Sequence, residues 1–136
     1  MYGIFSYGIA PPRLGWKQHQ ELILDLEVVA LLGYFNDLGI DPTVFAQPTL
    51  NQFIALGKPT HQAIRQRIAG LIADKGRALA DIHDQVFIHE SRAQMHLPVY
   101  IGDYTDFYAG IHHAEHVGRM FRPDGDPLLA NYRHMP

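Results

Sequence analysis

The stretch GDYTDFYAGIHHAEHVGRMFR, residues 102–122, gathers two aspartates, three histidines, a glutamate and two arginines into twenty-one residues. Such a set can supply a base, a cation for an anionic substrate and an oxygen ligand for a hard metal ion. If residues 102–108 run as a strand, alternation puts Tyr104, Asp106 and Tyr108 on one face and Asp103, Thr105 and Phe107 on the other. Asp106 then stands on an aromatic, hydrogen-bonding face, while Asp103 is the structural acceptor for backbone donors around Gly102. The strand gives way to a helix near Ala109 and Gly110, which brings His113 into the first turn beside the strand end. A neutral imidazole there can take a proton from water, because its ordinary pKa leaves free base at neutral pH. Arg122, at the far end of the helix, can meet an anionic substrate.

A second motif overlaps the first. His112-x-x-Glu115-His116 is the pattern of inverted zinc peptidases, with two histidines on one helix face and a glutamate to activate water. A catalytic zinc needs a third protein ligand, and the acids after His116 are Asp124 and Asp126 in a loop rich in proline and glycine. Chance occurrence in a histidine-rich segment accounts for the motif better than a zinc peptidase remnant does.

The elements that must position these residues are legible upstream. YGIFSYGI reads as a strand, and RLGW and ELILDL flank KQHQ as a hairpin. In the second arm Leu22, Leu24 and Leu26 share one face and Ile23 and Asp25 the other, so a small sheet or barrel results. Val28, Leu31, Leu32 and Phe35 follow at helical spacing, with Gly39 as a stop. PTLNQFIALG has Thr49 and Gln52 in capping-box spacing, an apolar face of Leu50, Phe53 and Ile54, and Gly57 as C-cap. A third amphipathic helix covers residues 60–74 through Ile64, Ile68, Leu71 and Ile72, with Arg65 and Arg67 on its solvated face. Residues 75–84 have no clear period. QVFIHE and AQMHLPVYIGDYTDFY read as extended, the helix returns through Ile111, Ala114, Val117 and Phe121, and the tail from Arg122 is loop-like.

Composition bounds the rest. With 47% apolar and 18% charged residues the chain is ordinary for a soluble globular protein. Net charge is −3, and the eleven Lys and Arg form no block that would track a phosphate backbone, so nucleic acid is not an expected partner. There is no cysteine, which excludes disulfides and thiolate metal sites. The first residues, MYGIFSYGIAPP, lack a basic leader and a long apolar run, so neither a secretory signal nor a membrane partner is expected and the cytoplasm is the default location.

Two segments, FAQPTLNQFIALG and above all MHLPVYIGDYTDFYAGIHHAEHVGRMFRPDGDPLLANYRHMP, resemble the fumarylacetoacetase family, as do YGIFS and ELILDL near the start. The resemblance implies an α+β fold in two domains. Residues 1–92 would be a small SH3-like β-barrel with helices, and residues 93–136 the incomplete start of a β-rich catalytic domain. It implies hydrolysis of a carbon–carbon bond in a β-diketo acid, giving fumarate and acetoacetate in the breakdown of tyrosine and phenylalanine. Matched residue by residue, Asp106 corresponds to a calcium-ligating aspartate, Tyr108 to a substrate-contacting tyrosine, His113 to the general base and Arg122 to a substrate-binding arginine. Ca2+ and Mg2+ are the implied cofactors, and a homodimer the implied assembly at full length.

The sequence departs from that family at several places. H-A-T-N-V-G is usual where this chain has His113-Ala114-Glu115-His116-Val117-Gly118, and serines are usual at Ala109 and Gly110. The family continues past the equivalent of Pro136, and the other calcium carboxylates, the glutamate that orients the histidine and the magnesium ligands are expected there. Calcium takes six to eight oxygens, so these 136 residues alone are expected to be inactive. The alternative is a non-catalytic SH3-like module for assembly or partner binding, with Tyr104, Phe107 and Tyr108 as core or interface aromatics.

Overall fold

Five short strands carry the alternation that makes a two-faced sheet. The computed structural model describes residues 1–17, 21–73 and 77–134. Strands β1 (Tyr2–Tyr7), β2 (Arg13–Lys17), β3 (Leu22–Asp25), β4 (Phe87–His89) and β5 (Ala93–His96) form one antiparallel sheet in the order β4-β3-β2-β1-β5. The expected hairpin is present, with Trp16 opposite Leu24, and the middle of its connection lies outside the described residues. β4 and β5 occupy opposite edges, yet only the turn Glu90–Arg92 joins them. Flat, those edges would stand about 19 Å apart at ordinary strand spacing, whereas the link from His89 to Ala93 reaches about 14 Å at most. The sheet must therefore curl.

Curling gives the two faces different neighbours. Tyr2, Ile4, Leu14, Trp16 and Leu24 face the main core, which the helices complete. Phe5, Ile23 and Ile88 form a smaller cluster on the other side. Arg13 shares that side, with its guanidinium 4.9 Å from the centre of the Phe5 ring. Arg13 and Asp25 are both buried and bonded at 2.7 Å, and Asp25 also accepts the Val28 N–H as N-cap of α1 (Leu26–Leu31). One carboxylate thus ties the sheet to the first helix, and the paired charge meets the requirement that buried ions be partnered.

That anchor corrects the expected helical stripe. α1 starts directly off β3, and its buried residues are Leu26, Val29 and Ala30, while Leu31 and Leu32 are 73% and 47% exposed. Gly33, at φ +86°, takes the left-handed conformation that ends the helix early. Phe35 is buried beyond the helix end, stacked on Phe45, and Gly39 caps the short 3-10 turn Asn36–Leu38 instead.

The expected capping box is also absent. α2 (Asn51–Ala55) has Leu50 as N-cap with no side-chain cap bond, so Thr49 does not perform that role. Tertiary bonds hold this end instead: Leu50 N–H donates to the Pro98 carbonyl at 2.7 Å, and Asn51 both accepts from and donates to the Tyr100 backbone, at 2.8 and 3.2 Å. Phe53 is buried, but Ile54 faces out. Gly57, at φ +79°, takes the left-handed conformation just past the end of α2, as expected of a capping glycine, and α3 (Gly57–Ala73) follows with no intervening loop. The predicted face of α3 is buried through Ile64, Ile68 and Leu71. Asp74, Lys75 and Gly76 lie outside the described residues.

Arg67 is not an idle solvated group. Its guanidinium bonds both oxygens of Asp37, at 2.9 and 2.5 Å, and the Tyr34 carbonyl, fastening α3 to the Asn36–Leu38 turn. Arg67 holds the Asp37 carboxyl below its usual range, chiefly through the hydrogen bond. Where no period was legible, Arg77–Ile82 is a 3-10 segment with Leu79 buried, followed by α4 (His83–Val86) leading into β4.

The chain divides into two units, Met1–Tyr100 and Ile101–Pro136. β5 pairs with β1, so Ala93–His96 belongs to the first unit's sheet. Among the described residues, no helix is long and apolar enough to cross a membrane.

Candidate active-site segment

The second unit is built on α5 (Ile111–Phe121). The extended face expected for Tyr104, Asp106 and Tyr108 does not form: residues 101–109 have no regular secondary structure and join no sheet among the described residues. Alternating aromatic sequence favours a strand only where a neighbouring strand takes up its backbone groups. With no ladder here, alternation cannot assign side chains to faces. Asp103 accepts the Tyr104 N–H at 2.7 Å, as a turn residue does.

The helix begins at Gly110 without a side-chain cap, so serine-like capping is indeed lacking there. Its buried residues are Ala114 and Gly118. Small size matters at Gly118, because a Cβ on it would overlap the Pro127 carbonyl. The tail passes that closely because Arg122 holds it: the guanidinium donates to the carbonyls of Asp126 and Pro127 at 3.2 and 2.6 Å. Asp126 in turn accepts the Leu128 N–H at 3.0 Å, and Leu128 is buried. Further on, the Tyr132 hydroxyl donates to the Tyr108 carbonyl at 2.5 Å. Tail and helix so enclose a cavity of about 350 Å³, lined by Tyr108, Ala114, Gly118, Arg122, Leu128 and Tyr132 among others.

Each residue singled out by type has a definite place. His113 lies in the first turn of α5, exposed, with its ring edge-on to Tyr108 at 4.9 Å between centres and 74° between planes. Tyr108 is 38% exposed and lines the cavity with Arg122. The Arg122 guanidinium reaches two carbonyls of the tail. Asp106 is exposed in the irregular stretch and is not among the residues that line this cavity. Tyr108 and His113 are therefore brought together directly, and Tyr108 and Arg122 share a wall. Neither Asp106 nor His113 is sealed in an apolar interior. Among the described residues, no three His, Asp or Glu side chains gather where a metal ion could sit. A calcium ion takes six to eight oxygens, so Asp106 fits as one accessible donor of a larger set and not as a site by itself.

Sequence reasoning missed Tyr132 and Leu128, which shape the cavity from the tail. LLANY sits in a segment with too many turn residues to show a period, and only the fold-back around Arg122 reveals its role.

The profile of the fumarylacetoacetase N-terminal family matches residues 2–98, and the chain belongs to that family. Curated fumarylacetoacetases are similar over the second unit as well. The Caenorhabditis elegans protein is 38% identical and the human protein 39% identical, each over 99% of this chain and 33% of its own length. The Aspergillus fumigatus protein is 43% identical over 83% of this chain and 28% of its own length. The chain spans about a third of the length of these relatives.

Proposed function

We propose that this chain is the amino-terminal part of a fumarylacetoacetase-type hydrolase, which cleaves a carbon–carbon bond in a β-diketo acid to give fumarate and acetoacetate in tyrosine and phenylalanine catabolism. The observation that carries the reading is the similarity to proteins so named across 99% of the chain, through the segment that sets Tyr108 against His113. The first unit is an SH3-like barrel with helices, and the second opens the catalytic domain. His113 is the general base: exposed and steadied on one side by the Tyr108 ring, it can take a proton from an attacking water. Tyr108 and Arg122 contact the substrate, a role for which Arg122 must present its cation to the acid as well as to the tail carbonyls. Asp106 contributes one oxygen donor to a calcium site whose other ligands, with those for magnesium, come from the remaining two thirds of the protein. The bound cation would polarise the diketone oxygens. The full-length protein is a cytoplasmic homodimer.

Calcium titration tests the division of labour. The 136-residue chain alone should show no saturable binding below about 1 mM. A chimera joining it to the remaining part of a curated relative should bind calcium, and Asp106→Asn in that chimera should weaken binding. Submillimolar affinity in the chain alone, or an unchanged Asp106→Asn chimera, would contradict the assignment.

A further inference from the structure

The outward side of α5 carries a pair of histidines that the hydrolase reading leaves unused. Ala114 and Gly118 face inward and fix how the helix is turned. At 3.6 residues per turn, His112 and His116 then lie on the opposite side, and both are exposed. Four residues apart on a helix, their Cβ atoms stand about 6 Å from each other. Two imidazoles so placed can close on one ion at a metal–nitrogen distance of about 2.0–2.1 Å. His113 does not belong to this pair, since its ring is turned against Tyr108.

We propose that His112 and His116 form a two-histidine surface site for a borderline divalent transition metal, zinc or copper. Imidazole nitrogen suits these ions and not calcium or magnesium, which take oxygen. Among the described residues no third His, Asp or Glu completes a cluster, so the ion keeps water in its other positions and the site is a clamp across one helical turn. Glu115 and Arg119 are the charged neighbours on the helix, and the carboxylate of the first offsets the guanidinium of the second near the bound cation. Because the clamp ties position 112 to position 116, it stabilises the turns that carry His113. An ion bound there thus controls the order of the helix that bears the proposed base. The geometry depends on the helix alone and is independent of the hydrolase reading.

The test is titration of the 136-residue chain with Zn2+ alone at about pH 7.5, where imidazole is largely neutral. Calorimetry gives affinity, and hydrogen exchange reads the amides of α5. One zinc per chain is expected, with slower exchange across residues 112–118. His112→Ala and His116→Asn should each weaken binding about tenfold or more, and His113→Ala should leave it within about twofold. All three positions are exposed, so helicity by circular dichroism should be unchanged in each variant. Absence of saturable zinc binding, an affinity in the His112→Ala or the His116→Asn variant equal to that of the parent, or loss of binding in His113→Ala would each overturn the proposal.

Discussion

The two units spend their apolar residues in opposite ways. The first closes a continuous core, from Ile4 and Leu14 in the sheet to Phe45, Ile64 and Leu79 in the helical layer, all buried. In the second, Ala114, Gly118 and Leu128 are buried, while Tyr104, Phe107, Met120 and Phe121 are 72–81% exposed. A unit with so little buried surface gains little from the hydrophobic effect. Its order rests on polar ties from Arg122, Asp126 and Tyr132 to backbone groups. The residues that could do chemistry sit in that second unit. The difference teaches that burial holds the first unit, whereas polar ties to backbone groups hold the second and leave its aromatic and titratable side chains largely exposed.

Substitutions can break or sharpen this contrast. The largest effect is expected in the first core: Phe45→Ala should cost about 3–5 kcal/mol by denaturant unfolding, because Phe45 is fully buried against Phe35 and Phe53. Asp25→Ala should cost a similar amount, about 3–5 kcal/mol, since it strands the buried Arg13 and uncaps α1. Neither change should alter hydrogen exchange in α5. Conversely, Gly118→Ala should cost about 1–3 kcal/mol, read as faster exchange in α5 with the first unit's unfolding unchanged. A loss shared by both units would show that they are not separately stabilised.

The smallest effect is set by pH. Arg67 depresses the Asp37 carboxyl, so this pair's contribution is present above the unfolded carboxylate value of about 3.9 and is lost as pH falls through the lower folded value. Asp37 is exposed, so the change should be slight. Thermal melts at falling pH should show it in the parent and not in Asp37→Asn.

What was legible in the sequence follows from the same physics. Strands near Ile4, Leu14 and Leu24 and the Ile64, Ile68, Leu71 face of α3 could be read because a buried face imposes its period on the chain. The α1 stripe misled because the Asp25 anchor, and not apolar spacing, sets that helix's rotation, leaving Leu31 outside. Residues 101–109 misled for a related reason. Their alternating aromatics look like a strand, but no neighbouring strand receives them among the described residues. The place of His113 in the first turn of α5 was readable from the junction near Ala109 and Gly110, whereas its edge-on contact with Tyr108 and the part played by Tyr132 depend on a fold-back that no local pattern encodes.

The most direct test of the account is turnover by a chimera in which this chain replaces the matching third of a curated fumarylacetoacetase. The chimera should hydrolyse the β-diketo acid, and His113→Ala should lower kcat by a factor of about 10² to 10⁴ with the fold intact. A folded chimera that turns over substrate equally well with and without the His113 imidazole would contradict the central claim.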